Sequence, residues 1–392
     1  MIVRARVEDV AVLGGGPAGA ATALTLARTG ISTVLIDAAN EADTTLWKIG
    51  EGLPPLARLT LQRLGVWERF ATDGHLPSHG NCSAWGTSQL AERNFLFEPY
   101  GHGWHLDRQR FDALLRAAAV ATGARYCAAR VSDCRFTPTN EWCLELMQET
   151  TVEQDGILFH LAGNKIPTCS TAQVTARFVV DATGRASWFA RKQGAHRLNS
   201  DGLVGVAALL APAAQGTDRD SLTMIEAVED GWWYAALLAS GRLVMVFLSD
   251  GDLPAAKAAR TGAGWLQLLS RTEHLARRVV AHGYCLAHEP RIVSANSSRL
   301  DQVAGTHWLA VGDAAAAYDP LSSQGILAAL ESGERAGAAL MAKLQGQTEA
   351  LAGYARSVDE HWQHYLASLR FYYGQETRWP DAPFWQRRVA QT

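Results

Sequence analysis

The chain has 392 residues, material for two or three domains at roughly 150 residues each. Hydrophobic residues make up 48% and charged residues 19%, so the chain can bury a core and is not disordered in bulk. The formal net charge of -3, from 36 basic and 39 acidic residues, offers no basic field for phosphate backbones or anionic lipid, which argues against nucleic acid and membrane surfaces as main partners.

Residues 9–13 form a short β-type run, residues 14–19 a glycine turn, and residues 20–28 an alanine- and leucine-rich helix. Residues 33–36 are a second β-type run ending at Asp37. Strand, glycine turn, helix, strand and terminal acid, in that order, predict the first βαβ unit of a dinucleotide-binding domain. The apolar run before the turn is too short for a signal-peptide core or a membrane span, so the expected location is the cytoplasm. Further on, residues 111–121 have helical periodicity, and residues 177–180 form an apolar strand leading into Asp181-Ala182-Thr183-Gly184. Between residues 202 and 250, apolar runs alternate with Gly, Asp and Ser, which predicts an antiparallel sheet. A buried strand at 307–311 then precedes Gly312-Asp313 and a helix over 325–344, and the aromatic tail predicts a closing helix and arm. The expected fold class is α/β, a Rossmann-like domain with an inserted antiparallel sheet domain and a C-terminal helical arm. Its expected boundaries are 1–75, 102–190 and 286–345 for the nucleotide domain, 76–101 and 191–285 for the insert, and 346–392 for the arm.

Gly14-Gly15-Gly16-Pro17-Ala18-Gly19 satisfies G-x-G-x-x-G. Without Cβ atoms the backbone turns tightly and approaches a pyrophosphate at the helix N-terminus. Asp37, eighteen residues past Gly19, is placed to accept a ribose hydroxyl. The six cysteines, Cys82, Cys127, Cys134, Cys143, Cys169 and Cys285, form no Cys-x-x-Cys pair and read as reduced thiols. His361-Trp362-Gln363-His364 and His102-Gly103-Trp104-His105 space imidazoles three apart without a zinc-type carboxylate, so no metal is expected. Thirteen tryptophans are expected mainly in the core, with some lining a pocket for a flat ligand.

The fingerprint alone leaves NAD and FAD open. Trp308-Leu309-Ala310-Val311-Gly312-Asp313-Ala314-Ala315 resembles the strand-Gly-Asp signature of FAD-dependent monooxygenases of the p-hydroxybenzoate hydroxylase fold. The resemblance implies FAD, with Asp313 on the ribityl chain and the helix after Asp319-Pro320-Leu321-Ser322-Ser323-Gln324-Gly325-Ile326 placing its free N–H groups at the flavin. It also implies Asp181 and Gly184 near the phosphates, Arg108 as the arginine opening a helix against the cofactor, and Lys48-Ile49-Gly50-Glu51 along the flavin. The cofactor set so implied is Gly14, Gly16, Pro17, Ala18, Gly19, Asp37, Lys48, Ile49, Gly50, Arg108, Asp181, Gly184, Gly312, Asp313, Pro320, Ser323, Gln324, Gly325 and Ile326.

Within that superfamily the chain is similar to the tryptophan-halogenase branch, with two departures. Halogenases need a lysine beside the substrate, in the segment corresponding to residues 75–100, and this chain has no lysine between Lys48 and Lys165. Where they carry Glu-Ser-Thr-Gly after the proline-leucine pair, it carries Ser322-Ser323-Gln324-Gly325, and Gly231-Trp232-Trp233-Tyr234 replaces their Trp-x-Trp-x-Ile-Pro. Gly50-Glu51-Gly52-Leu53-Pro54-Pro55, Ser83-Ala84-Trp85-Gly86 and Tyr100-Gly101-His102-Gly103-Trp104-His105 resemble instead the flavoprotein maturases that hydroxylate a tryptophan in a partner polypeptide during cysteine tryptophylquinone formation. The resemblance implies a hydroxylase and not a halogenase, taking O2 and electrons from an external reductant or flavin reductase, no second dinucleotide fingerprint being visible. A flavin hydroperoxide would attack the indole, Glu51 and Asp319 being the candidates to take its proton. Trp85, Trp104, His105, Trp232 and Trp233 are expected to line an open substrate cleft. Hydroxylation of a free small aromatic, reduction of an isoprenoid double bond, and a flavin-binding assembly factor without turnover are the alternatives.

Overall fold

A computed structural model describes residues 6–38, 47–147, 173–214 and 218–389; Cys169 and Lys165 fall outside them. The first strand, β1 (Val7–Leu13), and the next, β2 (Thr33–Asp37), flank α1 (Pro17–Arg28) and pair in parallel. Pro17 opens α1 at a position where its missing N–H and fixed φ are favourable. The main sheet runs Ala304–Gly305, Trp308–Ala310, Gln173–Asp181, β1, β2, Arg125–Ala128. Leu13 lies opposite Asp181, and Asp181 opposite Ala310. Three strands therefore end together, and their turns at Gly14, Ala182 and Gly312 emerge along one edge, where ligands of open α/β sheets bind.

α1 packs against the helix Gly325–Leu344 unusually closely. A Cβ on Gly333 would stand 2.3 Å from the Ala18 carbonyl oxygen, and one on Gly337 would stand 2.8 Å from the Thr25 side chain. Glycine at both positions lets the two backbones meet, and both helix N-termini come to the same edge of the sheet.

The second large sheet has the order Cys285–Leu286, Leu203–Ala211, Leu243–Asp250, Gly231–Leu237, Thr223–Val228, Gly80–Ala84, Ala91–Asn94. Its strands are antiparallel neighbours except for Gly80–Ala84 beside Thr223–Val228, which run parallel. Two expected boundaries move. Arg291–Ser294 also pairs with Leu203–Ala211, so this sheet extends past residue 285 to Ser294. Leu76–Ser78 pairs with Gly103–His105, which also pairs with Gly52–Leu53, and so belongs to a small three-stranded sheet at the junction.

The helices Ala350–Gly374 and Pro383–Val389 close the molecule. Arg388 donates to both Asp250 oxygens at 2.8 and 2.7 Å and lies over the Phe384 ring at 3.6 Å. A bidentate pair with an aromatic floor compensates the desolvation that an isolated charge would suffer there. Among the described residues, no helix is long and apolar enough to cross a membrane.

Gly333→Val should destabilise the fold by about 1–3 kcal/mol or more, the size of an overpacking defect with backbone as the obstacle. Gly353→Ala, in the next helix and with open space around the added methyl, should instead be neutral or gain up to about 1 kcal/mol. Denaturant midpoints of the two variants check the contrast; equal effects would contradict the close approach.

Candidate functional site

A cleft of about 690 Å³ runs from the turn edge of the main sheet to one face of the second sheet. Gly14, with φ +109°, sits where a Cβ would be 2.3 Å from the Ala182 carbonyl, and a Cβ on Gly19 would be 1.9 Å from the Gly14 carbonyl. These two glycines shape the turn and face protein. Gly16 has nothing within 4 Å of a Cβ and lines the cleft with Pro17 and Ala18. Gly184, with φ +66°, and Gly325 are open in the same way and also line it. No side chain caps α1 or the helix Gly325–Leu344, so both present backbone N–H groups and positive dipole ends at the cleft.

The other expected cofactor residues divide by what they touch. Asp313 lines the cleft with its carboxylate partly exposed, 3.6 Å from Arg185. Pro320, Ser323, Gln324 and Ile326 also line it. Arg108 donates to the carbonyls of Ile49 at 3.1 Å and Gly50 at 2.9 Å, and it shares the buried Asp112 with Lys48, whose Nζ is 2.9 Å away. The segment Lys48-Ile49-Gly50 is thereby held along the cleft wall. Asp37 ends β2 with its carboxylate against Gly15 and 3.7 Å from Arg116. Gly312, with φ +55°, is buried, and a Cβ there would meet the Ala18 Cβ at 2.6 Å. Asp181 departs from its expected role: it is fully buried, and its oxygens accept from Thr183 N, Thr183 Oγ1 and Ala190 N. It builds the turn, and Ala182 and Gly184 face the cleft.

At the far end Glu51 is buried; its Oε2 accepts from Gly50 N at 2.9 Å, while Oε1 has no partner. Burial pushes this carboxyl above the usual range, against the opposing pull of the Tyr234 hydroxyl and the Arg108 charge. Burial and the neighbouring Glu51 push the Tyr234 phenol well up. Asp319 also lines the cleft, but both its oxygens are taken: Oδ1 by Leu321 N and Oδ2 by the Tyr373 hydroxyl, each at 2.8 Å. Burial raises its carboxyl to about 7. Trp104 and His105 line the cleft as expected positions on the strand Gly103–His105.

Three expected tryptophans do not line it. On Gly231–Leu237 successive side chains alternate between faces. Trp233 enters the core on one side, packed on Trp265 and Phe247. Trp232 lies on the other side, covered by the C-terminal arm, where its Nε1 donates to the Tyr373 hydroxyl at 3.0 Å. Trp85 packs edge-on against Trp385 and donates to the Tyr372 carbonyl. The cleft receives Tyr234, two residues past Trp232 on the same face, together with Thr223. Neither stood out in the sequence; continuing the alternation two residues from Trp232 would have found Tyr234.

An acid whose folded pKa exceeds its ordinary value of 3.8 stabilises the fold most at low pH and loses that contribution as pH rises from about 4 through about 7. Asp319→Asn should therefore flatten the decline of thermal midpoint over that range. An unchanged slope would count against the burial of an ionisable Asp319.

Residues 73–392 match the family model for tryptophan halogenases. LodB of Marinomonas mediterranea, named as an FAD-dependent oxidoreductase, is 30% identical over 384 residues, which is 97% of each chain; several further relatives carry flavin-dependent halogenase names. Among solved structures, the myxobacterial chondrochloren halogenase CndH superposes with a TM-score of 0.82 at 22% identity, over 98% of this chain and 86% of that one. The peptidyl tryptophan dihydroxylase QhpG, essential for tryptophylquinone cofactor biogenesis, superposes with 0.71 at 25% identity, over 98% and 79%. The cleft fits the FAD that LodB and CndH are named for: open glycines at Gly16 and Gly325, two uncapped helix N-termini for anionic groups, and an exposed acceptor at Asp313. Gly16→Val, whose side chain would project into the cleft and not into protein, should leave the fold intact and abolish flavin absorbance in purified protein; retained FAD would contradict the cradle. This chain belongs to the tryptophan halogenase family of FAD-dependent oxidoreductases.

Proposed function

We propose that this flavoenzyme hydroxylates the indole of a tryptophan carried by a partner polypeptide, in the formation of a tryptophylquinone cofactor, and that it does not halogenate. The observation that carries the reading is a buried carboxylate, Glu51, with a free oxygen in a cleft that has no free lysine. Among the described residues lining the cleft the one lysine is Lys48, and its ammonium is bound to Asp112. The stretch where halogenases need their lysine, residues 75–100, contributes Ser78, Asn81 and Phe95 to the cleft, and none of these is a primary amine that could take up hypohalous acid. The likeness to QhpG supports a peptidyl tryptophan as the substrate.

Bound and reduced, FAD supplies the activation of O2, with electrons from an external reductant. The chain's own residues do the rest. The apolar wall of Trp104, Phe95, Val246 and Leu248 excludes water and takes the flat face of the ring. When a ring carbon gains oxygen it must lose its hydrogen as a proton to regain aromaticity, and Glu51, whose Oε1 makes no well-formed hydrogen bond and which lies beside the Tyr234 hydroxyl, is the acceptor. Burial raises its basicity above that of an ordinary carboxylate, which suits a general base. Asp319, with both oxygens engaged, positions the turn before the helix Gly325–Leu344 and is not the base.

Coexpression of the chain with an unmodified quinoprotein subunit should add oxygen to the precursor tryptophan, read by mass spectrometry. Glu51→Gln should keep FAD and lower that modification rate about 100-fold or more. Chlorinated or brominated tryptophan formed with reduced flavin and halide salts, with no oxygen added to the subunit, would overturn the assignment.

A further inference from the structure

His105 is buried at the junction of the small sheet and the second sheet, and its two ring nitrogens have different partners. Nδ1 lies 2.8 Å from the Leu237 carbonyl oxygen, and Nε2 lies 2.9 Å from Thr223 Oγ1. A carbonyl oxygen only accepts, so Nδ1 carries the proton. Burial holds the imidazole pKa down at about 4, so the ring is neutral at physiological pH. In the neutral ring Nε2 is then a bare lone pair, and the Thr223 hydroxyl must donate its one proton to it. A hydroxyl carries one donor and two acceptor sites. With its donor committed, Thr223 keeps only acceptor capacity, and Thr223 lines the cleft on the wall that also carries Tyr234 and Asn81.

We propose that Thr223 Oγ1, turned into an acceptor by His105, receives the N–H of the substrate ring and makes this cleft selective for indoles over flat aromatics of the same size without a ring N–H. The inference rests on the tryptophan reading above and names the group by which that substrate is read. An N–H donor entering the cleft finds a fixed lone pair, whereas a ring with sulfur or carbon at that position leaves the threonine oxygen desolvated and unpaired, the situation in which polar sites discriminate strongly. Thr223 is therefore a specificity residue, and His105 positions its proton.

The test uses FAD-loaded protein and two probes of equal shape, indole and benzothiophene, with dissociation constants measured by ligand-observed NMR or equilibrium dialysis. Wild type should prefer indole by about 5- to 10-fold, the scale of one neutral hydrogen bond. Thr223→Val, of nearly the same shape, should bind both probes alike, and Thr223→Ser, which keeps the hydroxyl, should restore the preference. Separately, imidazole 15N shifts should report the Nδ1–H form of His105. Equal binding by wild type, a preference that survives in Thr223→Val, or an Nε2–H tautomer at His105 would each overturn the inference. None of these readouts involves turnover, so a failure to oxygenate a partner subunit would sink the maturase reading and leave this result standing on its own.

Discussion

The close approach between α1 and the helix Gly325–Leu344 is the constraint on which the site depends. Gly333 lets the later helix lie against the Ala18 carbonyl, and Gly312 lets the turn after Trp308–Ala310 lie against the Ala18 side chain. A methyl at any of these points would push apart two helices whose N-termini must face the same ligand. The chain supplies those termini from segments about 300 residues apart, so no local stability of either segment can substitute for the fit between them. The consequence is chemical as well as mechanical. Two positive dipole ends converge on one cleft, where Arg108 and Lys48 are bound to Asp112 and Arg108 also to the backbone at Ile49 and Gly50.

The second constraint is burial of polar groups behind the cleft. Burial pushes Asp319 toward its neutral form against hydrogen bonds that favour the charged one, its Oδ2 accepting from Tyr373, whose hydroxyl accepts from Trp232 Nε1, while the Asp319 amide donates to Tyr365. Both tyrosines belong to the helix Ala350–Gly374. The arm thus fixes the turn from which the helix Gly325–Leu344 departs, and Arg388 on Asp250 fastens the arm's last helix to the second sheet. A network with every member satisfied holds one geometry; with one member missing, it leaves a buried carboxylate uncompensated.

What local sequence revealed and what it hid follow from the range of the interactions. The turn at Gly14–Gly19, the strand before Gly312 and the helix over residues 325–344 were legible because glycine in a tight turn and helical periodicity are properties of consecutive residues. The paired tryptophans were misassigned for the opposite reason. Alternation puts Trp232 and Trp233 on opposite faces whichever face is the cleft, and only the arm, arriving from more than 100 residues away, decides that Trp232 is covered and Tyr234 is not. Asp181 reads locally as a ligand group but spends all its acceptors on the turn that follows it. Thr223 had no local signal at all, because its partner His105 lies 118 residues earlier in the chain.

These long-range pairings give the two ends of the cleft different electrostatic characters, and that difference bears on the reaction. The end beneath the helix N-termini favours negative charge by dipoles that need no reorganisation. The far end is largely apolar and presents two acceptors, Glu51 Oε1 and Thr223 Oγ1 with its proton given to His105, beside the side chains of Tyr234 and Asn81. A halide or hypohalite finds no free ammonium among the described residues lining the cleft, where Lys48 is bound to Asp112. On the proposed reading, a neutral ring that offers one N–H and must release one proton would be served by both acceptors. On that reading the arrangement separates the site into an anion-stabilising half for the cofactor and a proton-accepting half for the substrate, with Gly50 and Glu51, adjacent in the chain, marking the point where one gives way to the other.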